Sequence, residues 1–173
     1  MFYRVKQFWW NITDKMNNDD ISFVNNHLNE EEKRLFYSLS NSEQKHSVKV
    51  CYNALNKLSR YDMLDENSMI KIALLHDIGK SYKHINVIEK SIFVILNKMF
   101  PRLLKKFINI KSVKVYYEHG EIGYNLLKDK EYNEEILDAI RFHHSSNNIR
   151  NMRKNIYMEI LKESDDECED EFN

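Results

Sequence analysis

Apolar side chains recur along this chain at intervals of three and four residues, the spacing of helices that bury one face. Between residues 2 and 12 the stripe is Phe2, Val5, Phe8, Trp9 and Ile12, which predicts a helix strapped across the domain. Asp19 or Asp20 can cap a short helix through Leu28. Asn29 begins another through Leu39, with Glu30, Glu31 and Glu32 in its favourable first turn. Ser40 and Glu43 form a capping-box pair that starts a helix to about Arg60. On that helix His46, Val50, Ala54 and Leu58 share one face. Asn67 or Ser68 caps a further helix from Met69 to Asp77, with Met69, Ile72, Ala73 and His76 in line.

The apolar segment from Val87 to about Phe100, carrying Ile88, Ile92, Ile95 and Leu96, is stopped by Pro101. Ser112 can cap the next helix, through Asp129, which brings Tyr116, His119, Gly120, Gly123 and Leu127 close together. Asn133 caps Glu134 to His144, where Ile136, Ile140, His143 and His144 continue one face. A last helix from Asn148 to about Asp165 aligns Met158, Leu161 and Asp165, while Asp166 falls on the polar side with Glu159 and Lys162. The acid-rich residues after Asp166 are expected to lack fixed structure. The pattern therefore predicts an all-α fold, a compact single-domain helical bundle. N-terminal helices within 1–39 would pack on a core of 40–166, with an acidic tail at 167–173.

Composition reinforces this picture. One proline and three glycines occur in 173 residues, the usage of a helical protein. The glycines, Gly79, Gly120 and Gly123, cluster near histidines and are expected to allow close backbone approach or to mark helix ends. A formal net charge of −1 gives no global pull toward nucleic acid, which is not an expected partner. Locally, residues 90–117 hold seven cations and no carboxylate, with Phe100, Phe107, Tyr116 and Tyr117 interleaved. That run reads chiefly as a solvated face, able to bias the protein toward phosphorylated substrates. Cys51 and Cys168 form no CxxC pair and suit a reducing cytoplasm, the expected location. The longest uncharged apolar run, Ser91 to Asn97, is too short to span a bilayer. The opening Met1-Phe2-Tyr3-Arg4 lacks the apolar core and cleavage site of a signal peptide.

Candidate chemistry gathers at Ala73-Leu74-Leu75-His76-Asp77-Ile78-Gly79-Lys80. An imidazole and a carboxylate end an apolar run, where neither is buried cheaply without a partner, and both are divalent-metal ligands. Consecutive residues on a helix point about 100° apart, so both reach one ion only if it lies over the helix between them. The second oxygen of Asp77 is then free to bridge. Taken alone, the doublet is equally a polar helix end, and His46 a core histidine. The pair His143-His144 closing an apolar face is uncommon as core filler. Lys80 stands one turn past Asp77, either near the site or complementing the helix dipole. His27 reads as a surface residue and His84 as part of an exposed loop.

The run His76-Asp77-Ile78-Gly79-Lys80, preceded by His46 and followed late by Asp165, resembles the HD superfamily of metal-dependent phosphohydrolases, of the HDIG type. The resemblance spans residues 46 to 165 and implies a bundle of the HD-domain type. It implies one ion on His46, His76, Asp77 and Asp165, with Asp77 bridging to a second held by His119 and by His143, His144 or both. Glu118 to Gly123 resembles the segment that supplies a second-metal histidine, and Ser164-Asp165 matches a small residue followed by Asp. The cofactors implied are one or two divalent transition-metal ions, Fe, Mn, Zn, Ni or Co. Asp77 and Lys80 are the implied catalytic residues, Lys80 lining the site near the substrate phosphate. The implied reaction is hydrolysis of a nucleotide or related phosphate ester through a metal-activated water.

One departure narrows the family. After His143-His144 comes Ser145-Ser146-Asn147-Asn148, without the Gly-Tyr-Pro of the cyclic-dinucleotide phosphodiesterase branch. The alternative reading is a metal-bound module that senses or binds a nucleotide without turnover. A helical interaction protein, using the aromatic N-terminal helix and the basic segment, would leave the clustered histidines unexplained.

Overall fold

Met69, Ile70, Ile72, Ala73, Leu74 and Leu75 are each no more than 1% exposed, so the helix that carries them has almost no solvent face. From Met69 to Leu75 only Lys71 is not buried, and a segment apolar on nearly every side must be enclosed by other helices, as this one is. The computed structural model describes residues 14–61, 63–144 and 155–170, and every regular element among them is helical. In chain order these are α1 (Asn18–His27), α2 (Glu30–Tyr37), α3 (Asn41–Leu58) and the central α4 (Glu66–Leu75). A 3₁₀ turn (Ile78–Tyr82) follows, then α5 (Val87–Met99), α6 (Pro101–Lys105), α7 (Lys111–Leu127), α8 (Glu134–Phe142) and α9 (Ile156–Asp170). α3, α8 and α9 pack around α4, with α1 and α2 closing the remaining side, and α7 packs on the 3₁₀ turn and α8. No helix among the described residues is long and apolar enough to cross a membrane.

Caps set most of the starts. Asn29 and Ser40 each accept from the N3 amide, and Glu32 and Glu43 bond back to the cap amides. Asn133 caps α8 as its sequence predicts. Two caps fall earlier than expected. α1 is capped by Asn17, and Asp20 is its box partner, turned inward onto Lys45 Nζ at 2.6 Å. α4 is capped by Asp65, which accepts from the Ser68 amide at 2.7 Å, so Asn67 and Ser68 lie inside the helix. α4 also stops at Leu75, with His76 as its C-cap, short of the expected end at Asp77. Ser112 lies inside α7, which starts from Ile110 with no side-chain cap.

The last helix departs most. It runs through Asp170, beyond the expected end near Asp165, and so takes in residues expected to form a tail. Packing on α3 explains this: Cys168 is buried, Asn53 Nδ2 donates to its Sγ, and Lys57 pairs with Glu167 at 2.5 Å. The predicted strap at 2–12 and the predicted start of the last helix at 148 lie outside the described residues.

Two glycines let the backbones meet. A Cβ on Gly79 would stand 1.9 Å from the His119 carbonyl oxygen and 2.8 Å from the Gly123 nitrogen. One on Gly120 would stand 2.6 Å from the Arg141 oxygen. The 3₁₀ turn, α7 and α8 therefore press together at the point where their histidines emerge. Of the two roles expected for the glycines, close backbone approach or marking a helix end, the first holds for Gly79 and Gly120, while Gly123 has room for ordinary contact at 3.4 Å or more.

Candidate metal centre

Three histidines of the cluster stand at or near an irregular point of a helix, while His46 lies within the regular α3. His76 and His143 are the C-caps of α4 and α8, one residue past the last helical position. His119 follows a kink in α7 at Glu118, where φ is −124° and ψ 15°. At such points the ring can turn back on its own helix. His76 Nδ1–H donates to the Ala73 carbonyl at 2.8 Å, His143 Nδ1–H to Ile140 at 2.7 Å, and His119 Nδ1–H to Val115 at 3.1 Å. A backbone carbonyl on Nδ1 fixes the tautomer and leaves Nε2 as a lone pair.

Those three Nε2 atoms are buried without a hydrogen-bond partner, as is Oδ1 of Asp77. The only other such side-chain atom among the described residues is Ser47 Oγ. Leaving a buried acceptor unsatisfied costs about 1–3 kcal/mol each, and four that converge are an arrangement a cation relieves. The donors fall into two groups, Asp77 with His119, His143 and His144, and His46 with His76 and Asp165. Within each group the ligating atoms lie within 4.8 Å of one another.

Asp77 lies between the groups. Its Oδ1 is 3.5 Å from His119 Nε2 and 3.9 Å from His143 Nε2. Its Oδ2 is 3.4 Å from His76 Nε2 and 3.9 Å from His46 Nε2. Asp165 is buried and accepts from or faces three rings: His46 Nε2 at 2.9 Å, His76 Nε2 at 3.9 Å and His144 Nε2 at 3.8 Å. Asp166 is exposed and takes no part. Ser164 is buried beside Asp165 and donates to the Ile160 carbonyl within its own helix.

The electrostatics prepare the donors. Burial alone would raise the Asp77 carboxyl, but the Lys80 ammonium and His76 hold it well below the carboxylate range. Asp165 is likewise held low against burial, by His46 and His76. Burial, then the Lys80 charge, lowers His119 to about 3. Burial and the neighbouring His144, His76 and His119 lower His143 well below its ordinary value, and burial lowers His144. His76 moves the other way, because Asp77 and Asp165 outweigh its burial. The same negative charge that favours a proton there favours a metal ion. Two ionised carboxylates and neutral imidazoles suit Fe, Mn, Zn, Ni or Co.

Lys80 Nζ donates to Asp77 Oδ2 at 2.5 Å and stays protonated, since Asp77 and Glu43 raise it against burial. Glu43, expected only as the capping partner of Ser40, also faces the site. It lies three residues before His46 on α3, and His84 Nδ1 comes to 4.0 Å from it at the exposed rim. The (i, i+3) spacing of Glu43 and His46 was the available signal. His27 stays outside the cluster, donating to the Phe23 carbonyl. Every residue singled out as a ligand is in the cluster, and Lys80 touches it.

A helical domain that gathers five histidines and two aspartates on a buried His-Asp doublet defines a class of metal-binding helical proteins. Residues 44–169 match the family model of the HD domain, and the chain belongs to that family. HD domains bind divalent metals and form a superfamily of mostly metal-dependent phosphohydrolases, and the His/Asp cluster of this chain could hold such an ion. No curated protein and no solved structure matches the chain.

Proposed function

We propose that this protein hydrolyses a nucleotide or related phosphate ester at a centre of one or two divalent ions. His46, His76, Asp77 and Asp165 would hold one ion, and Asp77, His119, His143 and His144 the other. The observation that carries this reading is the set of four buried acceptor atoms without partners, three imidazole Nε2 and Asp77 Oδ1, facing one another across the doublet. The ions, when bound, supply Lewis acidity to phosphoryl oxygens and acidify a water.

The chain's own residues do the rest. The Nδ1–H bonds to Ala73, Val115 and Ile140 lock three rings, so no reorientation is needed as a ligand arrives. Burial of His76, Asp77 and His143 keeps bulk water from that wall of the site. His46 and His144 are the more open members, with side chains 20% and 43% exposed, and mark the side from which substrate approaches. Lys80 is a fixed positive charge beside Asp77, suited to the negative charge that shifts on the phosphoryl group. A full ligand set together with Lys80 favours turnover over a module that only binds.

The test is a screen of the purified protein, loaded in turn with several divalent ions, against phosphomonoesters, phosphodiesters, nucleotides and dinucleoside polyphosphates. Metal-dependent release of phosphate or nucleotide is the expected result. Tight nucleotide binding with no hydrolysis under any ion would assign the chain to the binding class instead.

A further inference from the structure

The outer stripe of α5 is apolar and uncovered. Ile88, Ile92, Ile95 and Met99 follow one another at intervals of four, three and four, which sets them in a single line along the helix. They are 73, 48, 56 and 63% exposed. The packed side of the helix lies elsewhere: Phe93 meets the Tyr116 ring, and Asn97 Oδ1 accepts from the Tyr117 hydroxyl at 2.6 Å. The apolar arc of α5 is therefore wider than the domain covers. Phe100 and Leu103 extend it into α6, at 52 and 50% exposed. Nine of the sixteen large apolar side chains exposed among the described residues fall between 88 and 110. Exposed apolar residues scattered singly are ordinary, whereas a contiguous patch with a polar rim marks a surface that something covers.

The charge of the same segment indicates what covers it. Lys98, Arg102, Lys106 and Lys114 are exposed, as is Lys105, whose Nζ lies 5.5 Å over the Tyr117 ring, and no carboxylate occurs from 90 to 117. Glu89, the one acid of α5, is engaged by the Asn86 amide and the Ser112 hydroxyl. A second copy docking through the same face would set these cations against themselves. Residues 1–13 bring Arg4 and Lys6 and no acid, so they offer the rim no compensating charge. A polynucleotide is met by stacked aromatic faces, and the stripe of Ile88, Ile92, Ile95 and Met99 offers none. A bilayer with anionic headgroups satisfies both features, taking the cations at its surface and the apolar stripe at the acyl boundary.

We propose that α5 and α6 form a peripheral docking surface for an anionic lipid bilayer, lying in the plane of the headgroups. The surface is independent of the metal centre and of the substrate assigned to it.

The experiment is co-sedimentation of the full chain with vesicles of phosphatidylcholine alone and of phosphatidylcholine mixed with phosphatidylglycerol. Wild type is expected to pellet with the anionic vesicles only, and to be released at about 0.5 M salt, where surface charge is screened within a few ångströms. Ile92→Glu/Ile95→Glu and Lys105→Glu/Lys106→Glu each alter exposed positions, and circular dichroism checks that each folds. Either pair should lower partitioning about tenfold or more, since such binding needs both signals. Should the isoleucine pair misfold, the lysine pair alone decides. Failure of wild type to bind anionic vesicles, or undiminished binding by both folded variants, overturns the proposal. So does a vesicle-independent dimer in sedimentation velocity that Ile92→Glu/Ile95→Glu dissolves, which would give the stripe to a second copy.

Discussion

Nε2 of His76 and Oδ2 of Asp77 stand 3.4 Å apart, although consecutive residues of an α-helix point about 100° apart. The convergence comes from where α4 ends. Leu75 is its last helical residue, His76 is the cap, and Asp77 turns to φ −100° and ψ 3°. The 3₁₀ turn then carries Lys80 back over the same Oδ2. One carboxylate thereby presents an oxygen to each of two histidine groups.

Lys80 separates catalysis from metal binding. A protonated lysine has no lone pair to ligate with, so Lys80→Ala should keep the metal content of wild type. Its loss should lower kcat on the order of 10²-fold, the usual cost of one electrostatic contact in the transition state. Substrate affinity should weaken much less. Metal content, kcat and KM on a single preparation check this, and unchanged kcat at full occupancy would return Lys80 to the role of a helix-end cation.

Removing the metal should not unfold the domain. The core is a continuous apolar cluster, from Val24 and Phe36 through α4 to Ile140 and Leu161, that owes nothing to the donors. Chelation should therefore leave the far-ultraviolet circular dichroism nearly unchanged. The folded state alone binds the ion, so reloading at about a hundred times Kd should add about 3 kcal/mol of stability. For a domain of this size that raises Tm by about 5–10 °C. Collapse of the helical signal on chelation would show the metal to be structural.

Most of this was legible in the sequence because it rests on local signals. Ser40 with Glu43, Asn29 with Glu32 and the spacing of Ile136 and Ile140 each specify a helix without reference to the rest of the chain. The candidate ligands were readable because the run His76-Asp77-Ile78-Gly79-Lys80, with His46 before it and Asp165 after, resembles the HD superfamily; taken alone the doublet is equally a polar helix end. Features set by tertiary packing were not readable. The stop at Leu75 comes four residues before Gly79 meets α7, a tertiary contact that the local pattern does not contain. The extension of α9 to Asp170 depends on burial of Cys168 against α3, which outweighs an acid-rich composition. The exposure of Ile88 and Ile92 is equally a matter of what packs on α5 and not of its pattern.

Gly79 and Gly123 make a controlled pair. An Ala at 79 would force its Cβ to 1.9 Å from a backbone oxygen of α7, which no side-chain movement relieves. Gly79→Ala should cost about 3 kcal/mol or more and displace His119. Gly123→Ala meets its nearest neighbour, the Ile140 side chain, at 3.4 Å and should cost far less. Chemical denaturation of both variants tests the contact, and equal stabilities would contradict it.

Glu32 gives the fold a pH dependence. It is 1% exposed and accepts from Tyr132, from Lys71 at 2.9 Å and from the Asn29 amide at 2.7 Å, joining α2 to α4 and to the segment before α8. Burial would raise its carboxyl, but the Tyr132 and Lys71 bonds lower it below 4.5. A depressed folded-state value contributes stability that is complete above the unfolded value and is lost as pH falls through the folded one. Glu32→Gln should thus cost about 1–3 kcal/mol at pH 7, and the gap from wild type should close progressively below 4.5. Urea denaturation across that range measures it, and a gap independent of pH would exclude the carboxylate as its source.

Asp77 stands between the two donor groups, and metal content tests most directly the proposal that it bridges them. Elemental analysis should be run on wild type, Asp77→Ala and His119→Ala, each purified and reloaded identically and shown to be folded. Asp77→Ala should lose the metal of both groups, because its two oxygens face one group each. His119→Ala should lose only the second ion, leaving the one assigned to His46, His76, Asp77 and Asp165. Equal metal content in wild type and Asp77→Ala would contradict the assignment.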